Sequence, residues 1–409
     1  MEKIDYMRYQ TNIVTTRLLL AGFFFTPFTA LRIGAIGPGE LFILFSAFFA
    51  LLGSDGKLFV DKRVQIISSF WVLFLIITIP AFFYNNLFLE SASGHLLSAL
   101  FDLFSYLFVL LSILLTGHTM SLKGADANKF FKRLFLFWAL AYSLLYFISF
   151  ITPTIFGLPL ATNEGKNFTP LVDNIHQASS LTCAMVFVMI FMGTQAEDNK
   201  RKFFYIISAF LFALMAFGSG SFKATLGVIF GALIGFSTII FFKQSGRYRL
   251  VVNFLSIILL LFFIIGFFAT FFDLVTSAGI AFFQDADNRG SRQTLYWSSI
   301  QHGLESFLIG YGPGSHTPFR QDFWDAHNTI LTVFLQSGIL GVLVLIYFGL
   351  RLFGKLTNHY AIIGAFGAVS IYVLGGDVLR RLPIWILLLG LVYFSSAINS
   401  KQKLKKNHK

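Results

Sequence analysis

The chain has 409 residues, of which 56% are hydrophobic and only 12% charged. A soluble domain carries about a quarter charged residues, so a water-soluble globular fold is excluded; the apolar mass falls in runs of about 20 residues, enough to cross roughly 30 Å of hydrocarbon. The net charge of +12 does not point to nucleic acid, because the basic residues sit in short loops between apolar runs, and the lone Cys183 excludes a disulfide framework or a cysteine-based metal site.

In chain order the apolar runs are 15–31, 40–52, 64–83, 96–115, 134–156, 178–192, 203–217, 222–242, 250–271, 330–350, 361–374 and 382–397. Lys3 and Arg8 precede the first, which reads as an uncleaved helix rather than a removed signal peptide. Lysine and arginine collect in cytoplasmic loops. With the N-terminus inside, 22 of the 31 Lys and Arg fall on the inner side and 8 on the outer, with Arg17 within the first run. The sequence therefore predicts an all-α integral membrane protein with about 12 transmembrane helices and both termini cytoplasmic. The Lys-rich tail serves as a topology anchor.

Two outer segments are long and polar, 157–176 and 273–327. Loops above about 12–15 residues are usually functional or disordered, and Trp297, Tyr311, Phe319, Phe323 and Trp324 argue against disorder in the second. Within it, residues 291–308 have helix-like apolar spacing through Leu295, Trp297, Ile300, Leu304 and Leu308. The organisation that follows has three parts. Residues 1–217 carry the first seven spans, 218–350 carry the eighth to tenth with the large outer loop between the ninth and tenth, and 351–409 carry the last two spans and the basic tail.

Cations on the outer side run against topology and need a reason. Lys223 follows the small-residue turn Gly218-Ser219-Gly220-Ser221, Arg289 and Arg292 lie in the large loop, and Arg380-Arg381 occupies a tight turn. Arginine binds phosphate oxygens bidentately and lysine supplies a point charge, so such a cluster suits a phosphate-bearing substrate. The plainer alternative is interfacial snorkelling or pairing with Asp273, Asp285, Asp287 and Asp377. His327, in Trp324-Asp325-Ala326-His327-Asn328, stands where the loop re-enters the membrane. Its imidazole fits a base acting on a sugar hydroxyl, and the same cluster fits a polar helix start capped by Asp325 or Asn328; the residues alone leave both open. Asp102, near the outer end of the fourth run, reads equally as a proton or cation site and as a local helix-end group. No histidine pair has the spacing of a zinc-binding helix, so no metal is expected.

Taken together, the second half resembles the O-antigen ligase and polymerase superfamily. The resemblance covers 218–350 and rests on Gly218-Ser219-Gly220-Ser221-Phe222-Lys223, Arg292 with Trp297, Leu308-Ile309-Gly310-Tyr311-Gly312-Pro313-Gly314, His327-Asn328, and Leu335-Gln336-Ser337-Gly338-Ile339-Leu340-Gly341; Asp173-Asn174-Ile175-His176 resembles a further family motif. It implies a GT-C-like, metal-independent glycosyltransferase of the bacterial inner membrane, with the large loop in the periplasm and no cofactor. The donor it implies is an oligosaccharide linked to undecaprenyl diphosphate. The acceptor is a second lipid-linked saccharide for a polymerase or lipid A–core for a ligase. Membrane lipids and a chain-length regulator complete the candidate partners. By the same resemblance His327, tuned by Asp325, activates or positions the acceptor, and Arg292 holds the diphosphate with Lys223, Arg289, Arg380 and Arg381. Asn174, His176, Asn328 and Arg320 are candidate substrate contacts. Lys223 stands where the ligase pattern has arginine, which favours a polymerase over a ligase. A transporter or flippase would show matching halves and midplane charges, and this chain has neither.

Overall fold

The structure, a computed structural model, describes residues 2–34, 36–54, 60–88, 96–122, 125–162, 167–172, 175–241, 292–315, 317–319, 322–324, 326, 328–356 and 359–407. Its helices are α1 (Glu2–Phe25), α2 (Pro38–Gly53), α3 (Gln65–Phe88), α4 (Leu96–Ser121), α5 (Ala127–Ser149), α6 (Ile175–Thr194), α7 (Asn199–Phe217), α8 (Phe222–Phe241), α9 (Arg292–Glu305), α10 (Thr329–Lys355), α11 (Tyr360–Gly375) and α12 (Leu382–Asn407). Among the described residues six helical stretches are long and apolar enough to cross a membrane: Lys62–Tyr84, Ala99–Ser121, Ala127–Ser149, His176–Thr194, Thr329–Lys355 and Leu382–Ser400. Four shorter apolar helices accompany them. Phe104, Leu144, Phe203, Phe210 and Leu350 are each more than half exposed; in water that much bare apolar surface would aggregate, whereas hydrocarbon covers it without cost. The protein is an all-α, multi-pass membrane protein. The ninth apolar run, 250–271, and loop residues 273–291 lie outside the described residues.

Two expected spans end early, for one reason. The first run extends to residue 31, but α1 stops at Phe25 and Thr29–Leu31 forms a single 3-10 turn. The fifth extends to 156, but α5 stops at Ser149. Pro27 and Pro153 lie just beyond these ends; proline lacks the N–H that a continuing helix needs and drives the residue before it out of the helical region. At the other end both helices start upstream of the apolar run, α1 from Glu2 and α5 from Ala127 behind its cap Asp126, whose carboxylate accepts from Lys129 N at 3.0 Å. Hydropathy marks the part of a helix that lipid covers, not where its hydrogen bonds stop.

Glycine sets the tightest helix contact. Gly227, Gly231 and Gly235 form a stripe on α8 that faces Gly364 and Ala368 of α11; a Cβ on Gly231 would fall 2.5 Å from the Gly364 carbonyl oxygen. In lipid, where burying apolar surface brings helices together only weakly, such close backbone approach supplies the association. A different interface joins α3, α10 and α12: Phe70 stacks on Trp385 at 5.5 Å and meets Phe348 at 4.8 Å.

The segments assigned to the outer side share one end of the bundle. There Ala30 N donates to Leu171 O at 2.9 Å and Phe168 N to Gly218 O at 3.3 Å. The polar stretch 157–176, with the residues just before it, contributes two small hairpins to this end, β1 (Thr154–Ile155) with β2 (Leu158–Pro159) and β3 (Ala161–Thr162) with β4 (Asn167–Phe168). A third, β5 (Thr317–Phe319) with β6 (Asp322–Trp324), lies in the large loop. Segments assigned to the inner side meet at the other end, where Thr194 Oγ1 contacts His359 Nε2 at 3.2 Å and the Arg63 guanidinium stacks over Tyr393 at 4.5 Å.

Candidate functional site

The glycine-rich loop after α9 is a seat for a break in α10. Gly338 has φ 59° and ψ −160°, outside the helical region, so α10 is two helical pieces joined there. The break frees backbone groups that hydrocarbon cannot satisfy, and the loop meets them one for one. Ile339 N donates to Phe307 O (2.8 Å), while Tyr311 N donates to Leu335 O (2.7 Å) and Gly312 N to Gln336 O (2.9 Å). The approach leaves no room for side chains: a Cβ on Gly310 would sit 2.4 Å from Ser337 N, and one on Gly338 2.3 Å from the Leu308 carbonyl carbon. Two motifs that begin 27 residues apart in sequence, at Leu308 and Leu335, are thus halves of one joint. Tyr311 locks the loop to α9 through its hydroxyl, bonded to His302 O at 3.1 Å and Glu305 Oε2 at 2.9 Å, with its ring stacked on His302 at 4.4 Å. Burial, and after it Glu305, push the Tyr311 phenol well above its usual pKa, so the hydroxyl stays protonated.

Next to this joint lies an ion pair whose carboxylate is buried. Asp102, only 2% exposed, accepts from Gly314 N at 3.0 Å, from Gln336 Nε2 at 3.1 Å and from Arg380 Nη1 at 2.9 Å. Gln336 in turn accepts from Tyr106 OH at 2.8 Å. Of the two roles open to Asp102, the packing displays a structural one that joins α4, the glycine loop, α10 and the turn after α11. Arg380 therefore has a partner that was absent from the four aspartates considered for the outer cations; Asp377, which was among them, stands 3.9 Å from its Nε.

The turn at 374–381 gathers the other described candidates. Asn328 caps α10, accepting from Ile330 N (2.9 Å) and Leu331 N (3.2 Å), while its amide donates to Leu374 O at 2.6 Å. Its polar atoms thus serve the fold, as the capping alternative required. Thr329 Oγ1 donates to Gly376 O at 2.6 Å and accepts from Val378 N at 3.1 Å. Lys223, second residue of α8, lays its stem across this turn: its Cδ is 3.1 Å from where a Gly375 Cβ would lie. Arg381 Nη1 donates to His176 O at 2.6 Å and to Ser180 Oγ at 3.4 Å. The His176 ring meets Ser221 Oγ at 3.4 Å, and Ser221 meets Tyr372 OH at 3.0 Å.

Lys223, His176, Asn328, Arg380 and Arg381, scattered over 206 positions from 176 to 381, thus converge on one turn. Ser221, named before only as part of the small-residue turn, joins them, as do Thr329 and Tyr372, which carry no sequence signal: a hydroxyl in or beside an apolar run gives none until its partner is known. His327, Asp325, Arg320, Arg289 and Asn174 lie outside the described residues; Arg292 opens α9, and its side chain also lies outside them. Among the described residues no group of three or more His, Cys, Asp or Glu is placed to hold a metal ion.

Residues 207–346 match the family model described as O-antigen ligase. This match supports the O-antigen ligase and polymerase superfamily that the motifs resemble, and with it a glycosyltransferase-like enzyme that acts on lipid-linked saccharides. The matched stretch contains Lys223, the glycine loop and the break in α10. No match was found among the curated proteins.

Proposed function

We propose that this member of the O-antigen ligase and polymerase superfamily is an inner-membrane polymerase. It joins undecaprenyl-diphosphate-linked oligosaccharide repeat units into O-antigen or a related surface polysaccharide at the periplasmic face, and residues 218–350 carry the reaction. The observation that supports this most is the meeting of Lys223, Arg381 and His176 about one turn at the end of the bundle opposite the basic loops. Cations are disfavoured on that side by topology, and phosphate oxygens are the ligand that suits them.

The chemistry is a single displacement. A hydroxyl oxygen of the acceptor sugar attacks the anomeric carbon of the donor while His327, oriented by Asp325, takes the hydroxyl proton. The bond from that carbon to the diphosphate oxygen breaks, and its electron pair leaves with the lipid diphosphate. Arg292, Arg289, Lys223 and Arg381 stabilise the charge that develops there. Arg380, bound to Asp102, contributes chiefly by holding the turn. His176, Asn174 and Arg320 are assigned to binding the sugars. Displacement inverts the anomeric centre, so a product linkage that retained the donor's configuration would contradict the step.

Two tests arise directly. His327→Ala and Arg292→Ala are each expected to lower polymer formation by about 10²–10⁴-fold, at unchanged membrane levels of protein. A full-length polysaccharide ladder from either variant would remove that residue from the reaction. Lys223→Arg keeps the charge and is expected to stay within about tenfold of wild type, whereas Lys223→Ala loses about 10²-fold. An inactive Lys223→Arg protein would mean that the fit over Gly375, and not charge, sets the role of this residue.

A ligase is the second reading, favoured by the description of the matched family model. It would transfer lipid-linked polysaccharide to lipid A–core by the same donor chemistry. Disrupting a polymerase leaves core capped by single repeat units; disrupting a ligase leaves bare core and accumulated lipid-linked polymer.

A further inference from the structure

At the opposite end of the bundle, away from the site above, α3 and α10 enclose a cleft of about 170 Å³. From the α3 side it is lined by Lys62 (just before the helix), Gln65, Ile66, Ser69, Phe70 and Leu73; from α10 by Val344, Tyr347, Phe348, Arg351 and Lys355. Both sets repeat at three and four residues, so each is one helix face. The two faces have the same polarity gradient. Lys62, Arg351 and Lys355 stand at the terminal end, whereas Leu73, Val344 and the Phe70–Phe348 ring pair lie deeper, and 62 to 73 spans about 16 Å at 1.5 Å per residue.

Among the described residues no carboxylate lines the cleft. The neighbouring Arg63 is bound to Asp61, with Nε at 2.8 Å from Oδ2, and stacks on Tyr393, so it belongs to a different contact. Arg351 stacks over Tyr347 at 5.6 Å, which braces the guanidinium at the cleft mouth. Leu73 and Tyr347 are 42% and 56% exposed, so the groove opens sideways, where the acyl chains of a bilayer would lie. A positive-inside loop explains cations at this end. It does not explain three of them facing one another across two helices above an aromatic floor, nor polar Gln65 and Ser69 on the wall below.

We propose that this cleft is a binding site for an anionic phospholipid of the cytoplasmic leaflet. The phosphate lies among Lys62, Arg351 and Lys355, the headgroup or glycerol oxygens meet Gln65 and Ser69, and one acyl chain runs down the α3–α10 groove over Phe70 and Phe348. The site is separate from glycosyl transfer and stands whichever acceptor the enzyme uses.

The test is native mass spectrometry of the full-length protein in detergent, titrated with phosphatidylglycerol or phosphatidylcholine. Wild type should retain phosphatidylglycerol in clear preference. Each cation contributes about 1 kcal/mol near an anionic surface, so Lys62→Gln, Arg351→Gln and Lys355→Gln together should weaken retention about a hundredfold. The same neutralisation at Lys200, Arg201 and Lys202, which belong to the first turn of α7 at this end, should leave it unchanged. Ser69→Trp fills the groove without altering charge and should lower retention at least tenfold, which keeps the proposal testable if the triple variant fails to fold. Soluble glycerol phosphate should not displace the lipid; if it displaces it at equal concentration, the cleft is an anion site and the lipid assignment fails. Equal retention of both lipids, or a Ser69→Trp protein indistinguishable from wild type, would overturn it as well.

Discussion

Gly310→Ala is expected to destabilise the protein by about 3–5 kcal/mol, one of the largest effects of any single methyl group in the molecule. Two costs combine. Gly310 has φ +67°, a left-handed conformation that carries about 1–3 kcal/mol of strain for a residue with a Cβ. The added carbon would also lie 2.4 Å from Ser337 N and 2.6 Å from the Gln336 carbonyl carbon, both backbone atoms of a packed helix. Overpacking of that kind costs about 1–3 kcal/mol more. The loop can escape only by lifting off α10, which strands the N–H and C=O groups exchanged between 307–312 and 335–339. Gly349→Ala is the control: it lies in the same helix, with no atom within 4 Å of a built Cβ, and should be neutral or stabilising by up to about 1 kcal/mol. Thermal unfolding in detergent compares the two variants, and a Gly310→Ala protein melting with wild type would mean that the loop is not seated on the helix break.

The same joint illustrates what the sequence discloses. The apolar runs, the Asn328 cap and the helix at Arg292–Glu305 are written in local patterns, because helix periodicity and capping depend on neighbours three or four residues away. The glycine pattern at 310–314 and the Gln336-Ser337-Gly338 step were legible as motifs, and their being halves of one contact was not. Hydropathy reports how much of a segment lipid covers and is silent on which segment covers the rest. It therefore passed through Pro27 and Pro153, where covalent chemistry ends the helix. Within the candidate site, the outward cations were legible as exceptions to the charge rule, since topology gives each position an expected sign. Their partners were not, because Arg380 and Asp102 are 278 residues apart, and no periodic signal spans such a distance.

That pairing leads to the second large effect. Asp102→Ala is expected to cost about 3 kcal/mol. It leaves Gly314 N and Gln336 Nε2 as buried donors without their acceptor, at about 1–3 kcal/mol each before relaxation. It also breaks an ion pair. The full penalty for an abandoned buried charge, about 3–5 kcal/mol, does not apply, because the Arg380 side chain is 32% exposed and water can take over part of its charge. Asp102→Asn keeps one acceptor oxygen but turns an N–H₂ toward groups that donate, so it should recover only part of the loss. In the double variant with Arg380→Ala the costs should fall short of additive by about 0.5–3 kcal/mol, the usual coupling between residues in contact. The network reaches the turn that carries Arg381 and lies beneath Lys223. Asp102→Ala protein that still folds should therefore bind the lipid-linked donor more weakly, raising KM more than it lowers kcat. Arg380→Lys, which keeps a cation opposite the carboxylate, should be milder in both respects. Zero coupling in the cycle would reduce the pair to a chance contact, and a fall in kcat at constant KM would put Asp102 in the chemistry itself rather than in the scaffold that positions the cations.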